Sequence, residues 1–485
     1  MRALWLTASL LIACGPTQRG NSPDAACTEP GCVTPVCVAG AVESCYTGPL
    51  GTDGVGACKS GTRTCTPDGL WGACNGEVVP RAEICANGID DDCNNMVDEE
   101  LDADGDGFTT CQGDCCDNPN QGCETPALVN PGAFEVAGNQ LDDDCDGIVD
   151  NAVAATCDMG LASNSTAAMD YAKAMDLCQT AGPNDAKWGV ISAQLLRADG
   201  TGVPNAIQHS IRPAFGGTTV QGGNAFAVLS TGSAAAQGQT LPNFVNFQTG
   251  PAIGTTSGFP ADFLAAHAGA LPNAPGCPAP SGNSANDPVM LQLKIRAPTN
   301  ARSFSFSMNF LSSEYPEWTC SPFNDFFVVL LDSTFAGSPP NPADKNLAFY
   351  KDGAGQVYPV GVNLAFGNTG LFTQCANGPT GCASLSVPGN ISTCLDTAGL
   401  VGTGMDQANP PRHSLAAGQP GFCGANNLLG GGTGWLVTSG NVVGGETITL
   451  RIALWDTSDG LYDSVAIIDN FQWSVEASQP GTVIQ

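Results

Sequence analysis

Apolar and polar positions alternate strictly in two stretches of the second half of this chain. Phe304, Phe306, Met308 and Phe310 are separated by Ser and Asn, and Ile448, Leu450, Ile452 and Leu454 by Thr, Arg and Ala. Successive side chains of a strand point to opposite faces, so each stretch predicts a strand with one buried face. Phe326–Leu331 is apolar throughout and predicts a central strand covered on both sides. Trp188–Leu196 begins the series of strands and Val465–Val475 ends it. Ala, Met and Leu recur at helical spacing in Thr166–Cys178, where a Cys157–Cys178 disulfide would staple a helix down. Strands without interposed helices predict a mainly β protein, with an antiparallel, jelly-roll-like β-sandwich over 154–476 and a tail over 477–485.

The first third has no such period and is organised around an acidic run, DDDCDGIVD, at Asp142–Asp150. Asp142, Asp144 and Asp146 take alternate places, Gly147 permits a sharp turn, Ile148 can offer its carbonyl, and Asp150 closes the run. Oxygens at loop places 1, 3, 5, 7 and 9 with Gly at 6 are what a Ca²⁺ loop supplies. The Glu expected at the twelfth place is absent, since Val153 stands there, so a partner from elsewhere must complete the shell. Glu83–Glu100 aligns without gaps on the segment starting at Glu135. Asp90, Asp92, Asn94 and Asp98 then match Asp142, Asp144, Asp146 and Asp150; Asn87 matches Asn139, and Cys93 matches Cys145. Between the copies lies a third run, Asp102, Asp104 and Asp106, followed by Asp114 and Asp117, with Gly113 at its twelfth place. Two departures stand out. Asn95 replaces the Gly of the first loop, which predicts weaker binding there, and Ala137 replaces Cys85, so Cys145 needs another partner.

Charge sharpens this reading. Glu83–Asp150 holds nineteen carboxylates, and no Lys or Arg occurs from Ala82 to Ala172. Two unit charges roughly 4 Å apart repel by about 4 kcal/mol at an effective dielectric near 20. Such a segment opens unless cations bind, whereas a plain acidic linker needs no repeated register. Hard oxygen ligands and the lack of His point to Ca²⁺ over a transition metal. A net charge of −30 with few aromatics argues against a nucleic-acid partner. Of 23 Cys, setting Cys14 aside leaves fourteen between Cys27 and Cys145 and eight between Cys157 and Cys423. Even counts in an exported chain predict a disulfide framework. Residues 41–80, with Cys45, Cys58, Cys65 and Cys74, form a compact Cys-rich module in which Trp71 supplies much of the core; zinc is the alternative use of those Cys. Residues 81–153 are the acidic repeats.

No H-E-x-x-H, G-x-S-x-G, phosphate-binding Gly loop or dinucleotide fingerprint is present, and no enzyme activity is expected. Glu314 and Glu317, or Asp456, Asp459 and Asp463, could pair as glycosidase acids, but turn capping or cation binding suits them better. One specific expectation is that Glu314, Asn324, Asp325, Asp459 and Asp463 converge at one sandwich end and share a cation. Trp318, Trp435 and Trp455 are expected in the core rather than against a sugar.

Three resemblances give these pieces a setting. Residues 1–13 have the positive Arg2 and short apolar core of a signal peptide, and Leu11-Ile12-Ala13-Cys14 resembles a bacterial lipobox. That resemblance implies lipidation of Cys14, a tether over 14–40 and a membrane partner through the anchor, with Gly15 suggesting the outer membrane. Glu43–Asp150, with its acidic residue, Cys, Asn-Gly, Asp run and second Cys, is similar to the bacterial metal-binding repeats named for MopE. FLSSEYPEWTCSPFNDFFVVLL (Phe310–Leu331) and ITLRIALWDTSDGLYDSVAIIDNF (Ile448–Phe471) resemble the exported-protein domain called choice-of-anchor L, which implies a cell-surface protein and brings no catalytic residues. The expected function is a surface lipoprotein that binds Ca²⁺ and presents its sandwich for adhesion or recognition of a surface polysaccharide or protein. The alternatives are a secreted polysaccharide hydrolase with accessory repeats and a metal-scavenging protein.

Overall fold

A computed structural model describes residues 36–98, 102–151, 157–248, 250–251, 253–383, 386–408, 423 and 428–485. The signal segment, Cys14 and most of the tether lie outside the described residues, as does Val153. The chain divides into two units, Met1–Ala103 with Thr109–Gly113, and Asp104–Phe108 with Asp114–Gln485.

In the first unit, two four-residue strands, β1 (Val42–Cys45) and β2 (Gly61–Thr64), pair antiparallel. Strands this short bury little, so crosslinks hold the unit instead. Cys37–Cys65, Cys45–Cys74, Cys58–Cys93 and Cys85–Cys111 are disulfides. That disposes of zinc in the Cys-rich module. The buried side chains there are Cys58 and Cys65, while Trp71 is only half-buried under the Arg63 guanidinium, 5.1 Å from its ring centre. The indole is thus partly exposed and not the core that its size suggests.

The second unit is a sandwich of two antiparallel sheets. One carries, in spatial order, β12 (Gly481–Ile484), β9 (Gly431–Asn441), β7 (Ser303–Ser312), β11 (Ser464–Ser474), β5 (Phe226–Ser230) and β4 (His209–Arg212). The other runs β8 (Phe326–Asp332), β10 (Thr447–Thr457), β6 (Ala285–Arg296), β3 (Gly189–Leu196), with Thr256–Ser257 on β6. Phe304, Phe306, Met308 and Phe310 of β7 and Ile448, Leu450, Ile452 and Leu454 of β10 all enter the shared core, as their alternation predicts. The helix is shorter than its apolar spacing suggests, Ala168–Lys173, and the Cys157–Cys178 disulfide closes behind it. Within the expected tail, β12 extends the first sheet.

β8 corrects one expectation. Both its faces are buried, yet it lies at the sheet's end and not in its middle. The segment Lys345–Leu347 covers the open edge: Leu331 N–H bonds the Lys345 carbonyl at 3.0 Å, and Leu347 N–H bonds the Val329 carbonyl at 2.8 Å. A second helix, Ala261–Ala266, brings Phe263 over the outer face, where Trp455 stacks on Phe326 with centroids 5.5 Å apart. Trp455 is therefore core.

His209 shows how deeply the sandwich is dried. Its Nδ1 lies 2.6 Å from the Tyr171 hydroxyl, which itself donates to the Ser165 carbonyl at 2.9 Å, so Nδ1 carries the proton. Burial pushes the imidazole down to about 4 from its usual 6.5. The folded value lies below the unfolded one, so the unfolded chain takes up the proton first. The stability tied to this neutral His is complete above the unfolded value and falls as pH drops toward the folded one. Between pH 7 and pH 5 the loss amounts to about 2 kcal/mol. His209→Gln should flatten that part of the urea-midpoint profile; parallel profiles for the two proteins would contradict it.

Candidate metal centre

The two aligned acidic segments fold into the same loop, residue for residue. Left-handed backbone recurs at Ala86 and Gly138, Gly88 and Gln140, Cys93 and Cys145, Asn95 and Gly147, and Asp98 and Asp150. Most residue types resist that conformation, but Asn and Asp tolerate it better, so Asn95 at φ 76° stands in for Gly147 at φ 92°. The first loop keeps its shape despite the substitution.

Side chains bonded to backbone N–H groups fix the turn in each copy. Asp90 accepts from the amides of Asn94 and Asn95 at 3.1 and 2.9 Å, and Asp142 from those of Asp146 and Gly147 at 3.0 and 2.9 Å. Glu83 accepts from Asp91 and Asp92 N–H at 2.7 and 2.9 Å; Glu135 accepts from Asp143 and Asp144 N–H at 2.6 and 3.1 Å. The result is two sets of carboxylate oxygens within 4.8 Å of one another, Glu83, Asp90 and Asp92 in the first loop and Glu135, Asp142 and Asp144 in the second. The two Glu bring into each set a carboxylate from outside the Asp run. They lie seven residues before the Asp run, at the first place of the gapless alignment, where their recurrence was the available signal.

Other candidates serve the frame. Asn94 and Asp146 accept from Met96 and Ile148 N–H, each at 2.8 Å. Asp98 accepts from the amides of Asn87 and Gly88 at 2.9 and 3.0 Å, and Asp150 from Gly138 at 2.7 Å. Asn87 and Asn139 donate to Asp91 and Asp143, the middle Asp of each triplet, at 2.7 and 2.8 Å. Those two Asp, outside the predicted alternate register, are buried and also accept from Ile84 and Val136 N–H at 3.2 and 3.0 Å. Arg81 bonds Asp91 at 2.8 Å and holds its carboxyl below the usual range; burial pushes Asp143, which lacks such a cation, upward.

A third set forms in the intervening run from Asp104, Asp106 and Asp114. Asp102 belongs to the first unit, and the set named here lies wholly in the second. Burial, with Asp106, Asp104 and Asp117 nearby, pushes Asp114 up to about 6; Asp117 is itself buried. Asn130 donates to Asp106 at 2.7 Å and accepts from Thr299 at 2.7 Å, tying the set to the turn between β6 and β7. Cys145 finds its partner in Cys115, and Cys116 pairs with Cys123.

Buried carboxylate oxygens without a hydrogen-bond partner occur in all three sets, at Glu83 Oε2, Glu135 Oε2 and Asp114 Oδ2. Such an oxygen costs free energy unless something satisfies it. A cation does so, and the donor atoms present, all oxygens, suit a hard one. Of the second candidate set, Glu314, Asn324, Asp325 and Asp463 are buried around one end of the sandwich, whereas Asp459 sits on the exterior turn beside Gly460.

The family model described as "Putative metal-binding motif" (Cu-binding_MopE) matches residues 80–99 and 124–151, which contain the two loops. No curated protein and no solved structure matches the chain.

The frame makes a testable distinction. Asp143→Ala leaves Glu135, Asp142 and Asp144 in place but removes what positions them. It should weaken metal binding at the second loop about 10- to 100-fold, as loss of an orienting partner does. Titration calorimetry on the full chain with Ca²⁺ measures this, and an unchanged isotherm would show that Asp143 is a bystander.

Proposed function

We propose that this chain is a lipid-anchored surface protein whose acidic block binds Ca²⁺ and whose sandwich serves adhesion or ligand recognition. The observation that carries the metal reading is the buried, unpartnered oxygen present in every one of the three carboxylate sets. Ca²⁺ fits them because it accepts six to eight oxygens and tolerates irregular shells. The ion neutralises repulsion between carboxylates and fixes the loops, so metal binding and local folding are one equilibrium.

Copper capture is the competing reading, and the name of the matched family favours it. Copper prefers imidazole and sulfur ligands. The acidic block has no His, and its described Cys are disulfide-bonded. The anchor reading rests on the Leu11–Cys14 sequence. Against a hydrolase, Glu314 and Glu317 are 3% and 2% exposed, out of reach of a polysaccharide.

Chelation tests the proposal. In excess Ca²⁺ the segment between Glu83 and Asn151 should resist protease, and EGTA should raise its cleavage rate at least tenfold. Cleavage that ignores EGTA but responds to a copper-selective chelator would transfer the assignment to copper. Indifference to both would end the metal reading.

A further inference from the structure

Four carboxylates outside the acidic block converge between the two sheets, a consequence of register. Ser312 at the end of β7 pairs with Ser464 at the start of β11, so Glu314 and Asp463 leave the first sheet side by side. Opposite them, Phe326 at the start of β8 pairs with Trp455 of β10, which sets Asp325 beside Asp456. Cross-sheet bonds close the group: Ser464 Oγ donates to Asp325 Oδ2 at 2.5 Å, and Asp325 N–H donates to Glu314 Oε2 at 3.4 Å. Glu314 is 3% exposed, and Asp325, Asp456 and Asp463 are each 1% exposed.

The charges that act on these groups are other carboxylates. Asp456 and Asp459 act on Glu314, Glu314 and Asp463 on Asp325, Asp325 and Asp463 on Asp456, and Asp287 on Asp463. Burial first and this repulsion second push all four well above the carboxylate range. Buried anions in native proteins are paired or coordinate a metal. Among the described residues, no Lys, Arg or His is among the main influences on these four groups.

Independent of charge, polar atoms at the same place lack partners. Asp325 and Thr231 face the Asp456 carboxylate, yet neither of its oxygens accepts a hydrogen bond of good geometry; Asp463 Oδ2 accepts none either. The side-chain oxygen of Asn324, which precedes Asp325, is unpartnered, and so are both amide atoms of Gln248. Gln248 follows Phe247, whose carbonyl accepts from Asp463 N–H at 2.8 Å. A surface cleft of about 390 Å³ lined by Gly250, Asp287 and Asp459 adjoins the group. Gly250 keeps the approach open, because a Cβ there would lie 3.3 Å from both Asp463 carboxylate oxygens.

We propose that this end of the sandwich is a Ca²⁺ site built on Asp325, Asp456 and Asp463, with neutral oxygens from Asn324 and Gln248. Among the described residues the carboxylate triples within 4.8 Å of one another all lie in the acidic block, so amide oxygens are needed to complete the shell here. Ca²⁺ accepts such neutral donors, whereas Mg²⁺ demands a tighter octahedron and keeps its waters. Asp456 takes the place expected of Asp459. The site shares no residue with the acidic block and stands or falls apart from it.

The competing explanation is that protons alone neutralise the group, and Ca²⁺ counting on the full chain separates the two. Asp456→Asn/Asp463→Asn should bind one Ca²⁺ fewer than the parent in equilibrium dialysis. Its unfolding midpoint in EGTA should match or exceed the parent's, because the isosteres remove repulsion, while its gain on adding Ca²⁺ should shrink. Glu83→Gln/Glu135→Gln should spare this site. An unchanged Ca²⁺ count in the folded Asp456/Asp463 variant overturns the proposal. If that variant does not fold, crystals of the unaltered chain soaked in Tb³⁺ decide: an anomalous peak between Asp456 and Asp463 supports the site, and a map lacking it refutes it.

Discussion

Repulsion among carboxylates with too few basic partners is the constraint that the rest of this protein answers to. Nineteen acidic side chains fall between Glu83 and Asp150, and the nearest cation in the sequence, Arg81, is committed to Asp91. At a few kcal/mol per close pair, the segment holds a compact shape only if something opposes the repulsion. Three devices do so. Backbone amides turned toward the carboxylates spread the charge over many dipoles. Disulfides at Cys93 and Cys145 limit how far each loop can open. Clustering then leaves a few oxygens unsatisfied, and those are the ones open to a cation.

The split between clustered and bracing carboxylates is one of position. Asp90 and Asp142 accept two amides each and still gather with their neighbours, whereas Asp98 accepts from Asn87 and Gly88 outside those sets. Glu83 and Glu135 spend one oxygen on two amides each and keep the other. The frame therefore aims the ligand as well as holding the loop. In the second unit it reaches further, through Asn130 to Thr299, so that the third set leans on the turn leading into β7.

Much of this was legible in the chain and the remainder had physical reasons to be hidden. The alternating stretches of β7 and β10 gave their buried faces directly, since a period of two admits one reading. The apolar run of β8 did not give its position, because a strand covered on both faces looks the same at a sheet's edge once another segment caps it. The Asp register announced a cation loop. It could not announce Glu83 and Glu135, which arrive only after the backbone reverses through left-handed residues such as Ala86 and Gly88. Alternate spacing does separate Asp92 and Asp144, which gather in the sets, from Asp91 and Asp143, but it does not disclose that the latter two brace the loops.

The sandwich end poses the same electrostatic problem under a harsher condition. In the loops, solvent screens part of the charge; around Asp456 there is none, and desolvation outweighs every other influence on the four acids. A protein that merely needed to close a sandwich would place apolar or amide side chains there, since buried charge is seldom the cheaper choice. Acids from four separate strand ends, drawn from both sheets, instead make closure of that end conditional on a neutralising species. Residues that lie more than a hundred positions apart, Glu314 and Asp463 among them, thereby depend on one another through whatever sits between their carboxylates.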